Sequence, residues 1–140
     1  MTVVLDADVL IGALDNSDAH HTRARRLFVS WERRNEARLL SVVNLSEVLV
    51  APAADGRRLR TAREAIAALG ITIHQPGEAI GVEAARLRST YPIRLPDAYC
   101  LASARHANAR VASFDEEVLR AAEREGLATI EMGTRRPRPG

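Results

Sequence analysis

The sequence predicts an α/β fold, a single domain whose central parallel sheet of about five strands is flanked by helices. Three observations predict it. Short apolar runs alternate with longer segments of helical period along the whole chain. The 140 residues suffice for one core and are too few for two ordinary ones. Acidic residues recur just past the apolar runs, and an open parallel sheet gathers its ligands at the carboxyl ends of its strands.

The elements follow in order. Thr2 to Leu5 reads as a first, buried strand, and Asp8 to Leu14 as a short helix. Asp15-Asn16-Ser17-Asp18 is a turn, after which Thr22 is placed to cap a helix running to about Glu36. That helix carries the apolar stripe Ala24, Leu27, Phe28 and Trp31. Leu39 to Val42 is a second strand and Val43 to Val50 a helix, ended or kinked at Ala51-Pro52. Arg57 to Leu69 is amphipathic, with Leu59, Ala62, Ile66 and Leu69 inward, and Gly70 suits its C-cap. Ile71 to His74 is a third strand, and Glu78 to Arg88 a helix. Pro96-Asp97 starts a helix that runs to about Ala107 and is apolar nearly all round, hence buried. Arg110 to Ser113 is a fourth strand, Glu116 to Glu125 a helix before Gly126, and Ala128 to Glu131 a fifth strand. No repeat or linker divides the chain. The domain is expected to span 1–132, and 133–140 to be a disordered Arg/Pro-rich tail.

Composition narrows the chemistry. Hydrophobic residues make up 46% and charged residues 27%, as in a soluble globular protein. No apolar run approaches the roughly 18 residues of a membrane span, and no signal core follows a charged N-terminus, so the cytoplasm is the expected compartment. Cys100 is the sole cysteine, which excludes an intramolecular disulfide, and its apolar helix makes it a packing residue. All 20 basic residues are arginine, which GC-rich codon usage explains. Without lysine there is no phosphate-binding P-loop and no Schiff-base chemistry. The net charge of +2 points only weakly to nucleic acid.

Four carboxylates carry the functional signal: Asp6, Glu47, Asp97 and Asp115. Asp6 follows Val3-Val4-Leu5, Glu47 lies shortly after Leu39-Leu40, Asp97 opens the buried helix, and Asp115 closes the run from Arg110 to Phe114. Each taken alone has a bland explanation, a helix cap for Asp6, Asp97 or Asp115 and an exposed helix face for Glu47. Together they would repel one another at a strand edge unless a cation lay among them, and hard divalent cations such as Mg²⁺ prefer all-oxygen sites. Phosphodiester hydrolysis is the chemistry such a site serves best. Asp8 is either a helix-start residue or a support, its side chain expected to point away from that of Asp6. Ser113 offers a hydroxyl and Glu117 a further carboxylate.

The motifs resemble those of PIN-domain ribonucleases, specifically toxins of the VapC type from bacterial toxin–antitoxin pairs. Val3 to Ile11 resembles the family's first acidic motif, and Ser41-Val42-Val43-Asn44-Leu45-Ser46-Glu47-Val48 its serine-to-glutamate motif. Leu95-Pro96-Asp97-Ala98 resembles the third motif, and Ser113-Phe114-Asp115-Glu116-Glu117 the fourth. Two positions depart from the pattern. Asn44 stands where Thr is common, and Glu117-Val118 where Asp-Phe is common. The resemblance implies an endoribonuclease needing Mg²⁺ or Mn²⁺ and acting on transfer or ribosomal RNA. It also implies a homodimer and an antitoxin that blocks the acidic site. On this reading Asp6, Asp97 and Asp115 bind metal, Glu47 binds directly or through water, and Asp8, Asn44, Ser113 and Glu117 support them. Arg57, Arg58, Arg60 and Arg63 would face RNA, although a solvated helix face explains them too. A metal-free RNase would need paired histidines, and His20, His21, His74 and His106 are expected to lie apart, the first two in solvent. The alternatives are a haloacid-dehalogenase-like phosphatase, from Val4-Leu5-Asp6-Ala7-Asp8, and a non-catalytic interaction module of PIN fold.

Overall fold

A computed structural model describes residues 1–130 of the chain. Within them lie strands β1 (Thr2–Leu5), β2 (Ala37–Ser41), β3 (Ile71–His74) and β4 (Arg110–Ala112). The helices are α1 (Ala7–Leu14), α2 (His21–Arg33), α3 (Val42–Leu49), α4 (Gly56–Ala68), α5 (Glu78–Thr90), α6 (Leu95–Ala107) and α7 (Glu116–Arg124). The sheet order is β3-β2-β1-β4 and every pairing is parallel. The expected fifth strand shrinks to a single parallel bridge, Val111 with Thr129. Its far end at Glu131, and the tail 133–140, lie outside the described residues.

β1 is central, so its continuous run Val3-Val4-Leu5 is fully buried between helices on both faces. Alternation along the strand divides the core in two. Val4 and Val111 face α5, α6 and α7 through Ile80, Leu87, Leu101 and Val118. Val3, Leu5 and Ala112 face α1, α2, α3 and α4 through Leu10, Phe28, Trp31, Val48 and Ile66. The alanines of α6 let it sink into the core: Ala98, Leu101, Ala102 and Ala104 are all buried.

Several boundaries move, each for a local reason. α1 begins at Ala7 because Asp6 caps it. α2 starts at His21 with no side-chain cap, so Thr22 is not the capping residue. It stops at Arg33 because Asn35 turns left-handed, with φ of 52°, and Glu36 is drawn in to pair with Arg110. Val42 joins α3, whose first turn is capped by the Ser41 hydroxyl. Gly70, at φ of 70°, makes the expected left-handed turn between α4 and β3.

The topology decides where a site can form. From β1 the chain builds outward through β2 to β3, then returns to place β4 on the other side of β1. That reversal opens a crevice beyond the carboxyl ends of β1 and β4, the usual ligand position in such sheets.

Candidate acidic site at the β1–β4 crevice

Asp6 leaves the end of β1 with its N–H still bonded to the Ala112 carbonyl of β4, at 2.9 Å. Its Oδ1 accepts from the Ala7 N–H (2.8 Å) and its Oδ2 from the Ser113 hydroxyl (2.8 Å). Asp8, one residue into α1, turns back toward the same corner. Its Oδ2 accepts from the Phe114 N–H at 2.9 Å and lies 3.5 Å from the Ser113 hydroxyl oxygen. The helical turn thus brings together two side chains that extended backbone would have separated, a correction to the expectation for Asp8. Ser113 has one proton to donate, and the shorter contact gives it to Asp6. Ser113 also accepts from the Asp115 N–H at 3.0 Å.

Asp97 sits in the first turn of α6 at 3% exposure. Its Oδ2 accepts from the Arg94 N–H at 3.0 Å, and its Oδ1 lies 3.4 Å from Arg94 Nη2. The same guanidinium reaches Glu47 on α3, with Nη1 2.9 Å from Oε1. Asn44, fully buried one turn before Glu47, donates to the Pro96 carbonyl at 3.1 Å and so locks α3 onto the start of α6. Asp115 caps α7 through the Glu117 N–H and remains exposed. The Glu117 carboxylate turns away to Arg120 at 2.7 Å, so the structure does not bring it to the other acids.

The electrostatics are those of crowded anions. Burial, first, and then the charges of Asp8 and Asp97 push the Asp6 carboxyl up to about 8, against the opposing bonds from Ser113 and Ala7. Burial likewise pushes Asp8 up to about 6, with the Phe114 N–H opposing and the charges of Asp115 and Asp97 adding to it. Buried Oδ1 of Asp8 and Oε2 of Glu47 have no hydrogen-bond partner. Among the described residues no three acid, imidazole or thiol groups converge as a ready-made metal shell. Instead the acids stand as two pairs, Asp6 with Asp8 around Ser113, and Glu47 with Asp97 around Arg94. An all-oxygen donor set with partnerless buried oxygens suits a hard divalent cation, provided the two pairs close on it.

The sequence matches the PIN domain family over residues 3–124. The chain belongs to that family. Solved structures of similar fold include VapC20 of Mycobacterium tuberculosis, a sarcin-ricin-loop-cleaving toxin. It is 16% identical with a TM-score of 0.70, over 85% of this chain and 94% of that one. Rickettsia felis VapBC2 bound to a promoter DNA fragment matches at 12% identity and a TM-score of 0.73, over 93% and 98% of the two chains. VapBC-1 of Haemophilus influenzae matches at 17% and 0.71, over 95% and 99%. At these identities the likeness is one of fold. No curated protein was found to match the chain.

Within this PIN domain, four features escaped the sequence reading. Arg94 is the most consequential, and its signal was a cation three residues before Asp97 at a helix start. His20 is not in open solvent but stacks on Phe114, with ring centroids 4.4 Å apart, and Arg23 lies over the same ring at 5.2 Å. His21 is engaged too, with Nδ1 2.8 Å from the Gly12 carbonyl oxygen. His74 and His106 do approach each other, their rings 6.1 Å apart. That pair is remote from the acids: His106 is nine residues along α6 from Asp97, roughly 13 Å at the helical rise. Arg57, Arg58, Arg60 and Arg63 are all exposed on α4. A groove of about 670 Å³ runs along α2 beside Arg25, Arg26, Arg33 and Arg34, away from the carboxylates. The described residues include no helix long and apolar enough to cross a membrane.

Proposed function

We propose that this PIN domain is a divalent-metal-dependent endoribonuclease and the toxin of a toxin–antitoxin pair. The observation that carries the reading is the pairing of Asp6 with Asp8 around Ser113, with Asp97 near enough that its charge adds to the upward push on both. Such a cluster is unfavourable in itself, and a cation resolves it. Asp6, Asp97 and Asp115 are the proposed ligands of Mg²⁺ or Mn²⁺, with Glu47 taking part directly or through water. The ion supplies a polarised phosphate and a water acidic enough to act as nucleophile near neutral pH. Ser113 orients Asp6 by donating to Oδ2, and Asn44 holds the helix bearing Glu47 against the helix bearing Asp97. Attack by water leaves a 5′-phosphate and needs no 2′-hydroxyl. The RNA backbone would be held by arginines, with Arg57, Arg58, Arg60 and Arg63 on α4 as candidates.

Transfer and ribosomal RNA are the proposed substrate classes, and a homodimer held in check by a cognate antitoxin the proposed physiological form. A toxin–antitoxin complex from Klebsiella pneumoniae contains a chain of similar fold, at 21% identity and a TM-score of 0.66, which favours that partner. Membership of the PIN family leaves the phosphatase alternative unsupported.

The test is cleavage of total RNA by purified protein in Mg²⁺ or Mn²⁺ against EDTA, beside Asp6→Asn and Asp97→Asn. Discrete fragments that vanish with EDTA and in both variants are expected. Intact RNA together with no cation-induced rise in melting temperature would sink the reading and leave a non-catalytic module.

A further inference from the structure

We propose that Arg94 is a built-in counter-ion that holds Glu47 and Asp97 while no metal is bound, and that a divalent cation must displace its guanidinium to enter. The inference rests on the metal-nuclease reading above and adds to it what guards the site.

The atoms make the case. Arg94 controls both oxygens of Asp97, Oδ2 through its main-chain N–H and Oδ1 through its side chain. Both oxygens of Asp97 thus already face Arg94, and a cation that used Oδ1 would meet the guanidinium there. The Glu47 oxygen nearest Arg94 is Oε1, while Oε2 lies buried without a partner. One positive charge therefore spans two acids on different helices, α3 and α6, both of which the proposed metal would use.

Arg94 is also built to leave. Its side chain is 68% exposed, whereas those of Glu47 and Asp97 are 19% and 4% exposed. The withdrawn guanidinium regains water, and the entering cation takes over the two enclosed carboxylates that would otherwise be left unpaired. Its main-chain bond to Asp97 does not depend on the side chain, so the start of α6 persists when the guanidinium swings out. A buried structural ion pair has the opposite profile, with both partners enclosed. The contact thus resembles a latch on an exposed hinge more than a brace in the core.

The exchange predicts a cation affinity set by the charge at position 94. Mn²⁺ alone is titrated calorimetrically into the wild-type protein, Arg94→Met and Arg94→Lys. Methionine keeps the stem and removes the charge, while lysine keeps the charge and loses the fork. Arg94→Met should bind Mn²⁺ about fivefold to tenfold more tightly than wild type, because a like charge beside the ligands is gone. Arg94→Lys should stay within about twofold of wild type. Equal or weaker binding by Arg94→Met, with wild type binding normally, overturns the counter-ion exchange and leaves the nuclease reading standing. Absence of binding by all three proteins overturns both.

Discussion

Two clusters of carboxylates, built from the same side chains, behave in opposite ways. Of the crevice acids Asp6, Asp8, Glu47 and Asp97, only Glu47 and Asp97 meet a guanidinium among the described residues, and it is the same one, that of Arg94. Burial and mutual repulsion push Asp6 and Asp8 up. On the far side, Glu83 and Glu125 meet Arg86 and Arg105 in equal number. Arg86 lies 2.7 Å from Glu83 and 2.5 Å from Glu125, Arg105 lies 2.7 Å from Glu125, and the Tyr91 hydroxyl donates to Glu125 as well. There the bonds from Arg86 hold both carboxyls below the ordinary range. The matched cluster ties α5 and α6 to the end of α7 and is a fastener. The unmatched cluster caps α1 and holds the start of α6, yet it also leaves an excess of negative charge at the crevice. The ratio of cations to acids, more than the acids themselves, separates a brace from a site.

The largest effect expected from breaking this contrast is on catalysis. Asp6→Asn keeps shape and capping but removes a charge, and should lower RNA cleavage by at least about 100-fold. In EDTA the same variant should melt at a higher temperature than wild type, since repulsion at the crevice is relieved. Loss of activity accompanied by a lower melting temperature would mean that Asp6 is only a structural cap.

The next effect is in the pH dependence of the metal-free protein. Asp6 and Asp8 have folded values of about 8 and about 6, above their ordinary value of 3.8. The folded state therefore holds their protons more tightly than the unfolded state. Stability is greatest below about pH 4 for these groups and declines as pH rises from there toward about 8. Melting temperature in EDTA should fall across pH 5 to 8, and Mn²⁺ should flatten that slope. A slope unchanged in Asp6→Asn would refute the assignment to this carboxylate.

The matched cluster gives a smaller effect with the reverse sign. Glu83 and Glu125 titrate below their ordinary value of 4.5, so their contribution is present above it and is lost as pH falls through the folded values. Glu125→Gln should cost about 0.5–1 kcal/mol of stability at neutral pH, the scale of a partly exposed ion-pair network. It should leave cleavage unchanged, as denaturant melts beside the RNA assay would establish.

The smallest effect concerns α4. Arg58→Ala should weaken RNA binding less than about threefold and lower the salt dependence by about one phosphate contact, with no change in melting temperature. If instead an alanine at Arg25 on α2 produces that change and Arg58→Ala does not, the RNA runs along the α2 groove.

Much of this architecture was legible in the chain. A buried strand ended by a capping acid and followed by a helix is a local pattern, and Leu5-Asp6-Ala7 carries all of it. The left-handed turn at Gly70 and the burial of α6 follow from single residues and from period in the same way. The errors were also local in origin. Val42, expected at the end of the second strand, belongs to α3 because the Ser41 hydroxyl caps that helix. Alternation along extended backbone would point Asp8 away from Asp6, but α1 has already begun at Ala7.

The sequence by itself determined the order of strands and helices and the acids at their junctions, because periodicity and capping act within a few residues. Only the tertiary structure decided which acid meets which partner. The Ser113 hydroxyl reaches Asp6 across 107 positions because β4 returns to lie beside β1, and no local pattern specifies that return. Arg94 is ordinary as a letter in the chain. It becomes the cation of the crevice because Asn44 pins α3 to the Pro96 carbonyl and so carries Glu47 to within 2.9 Å of its guanidinium.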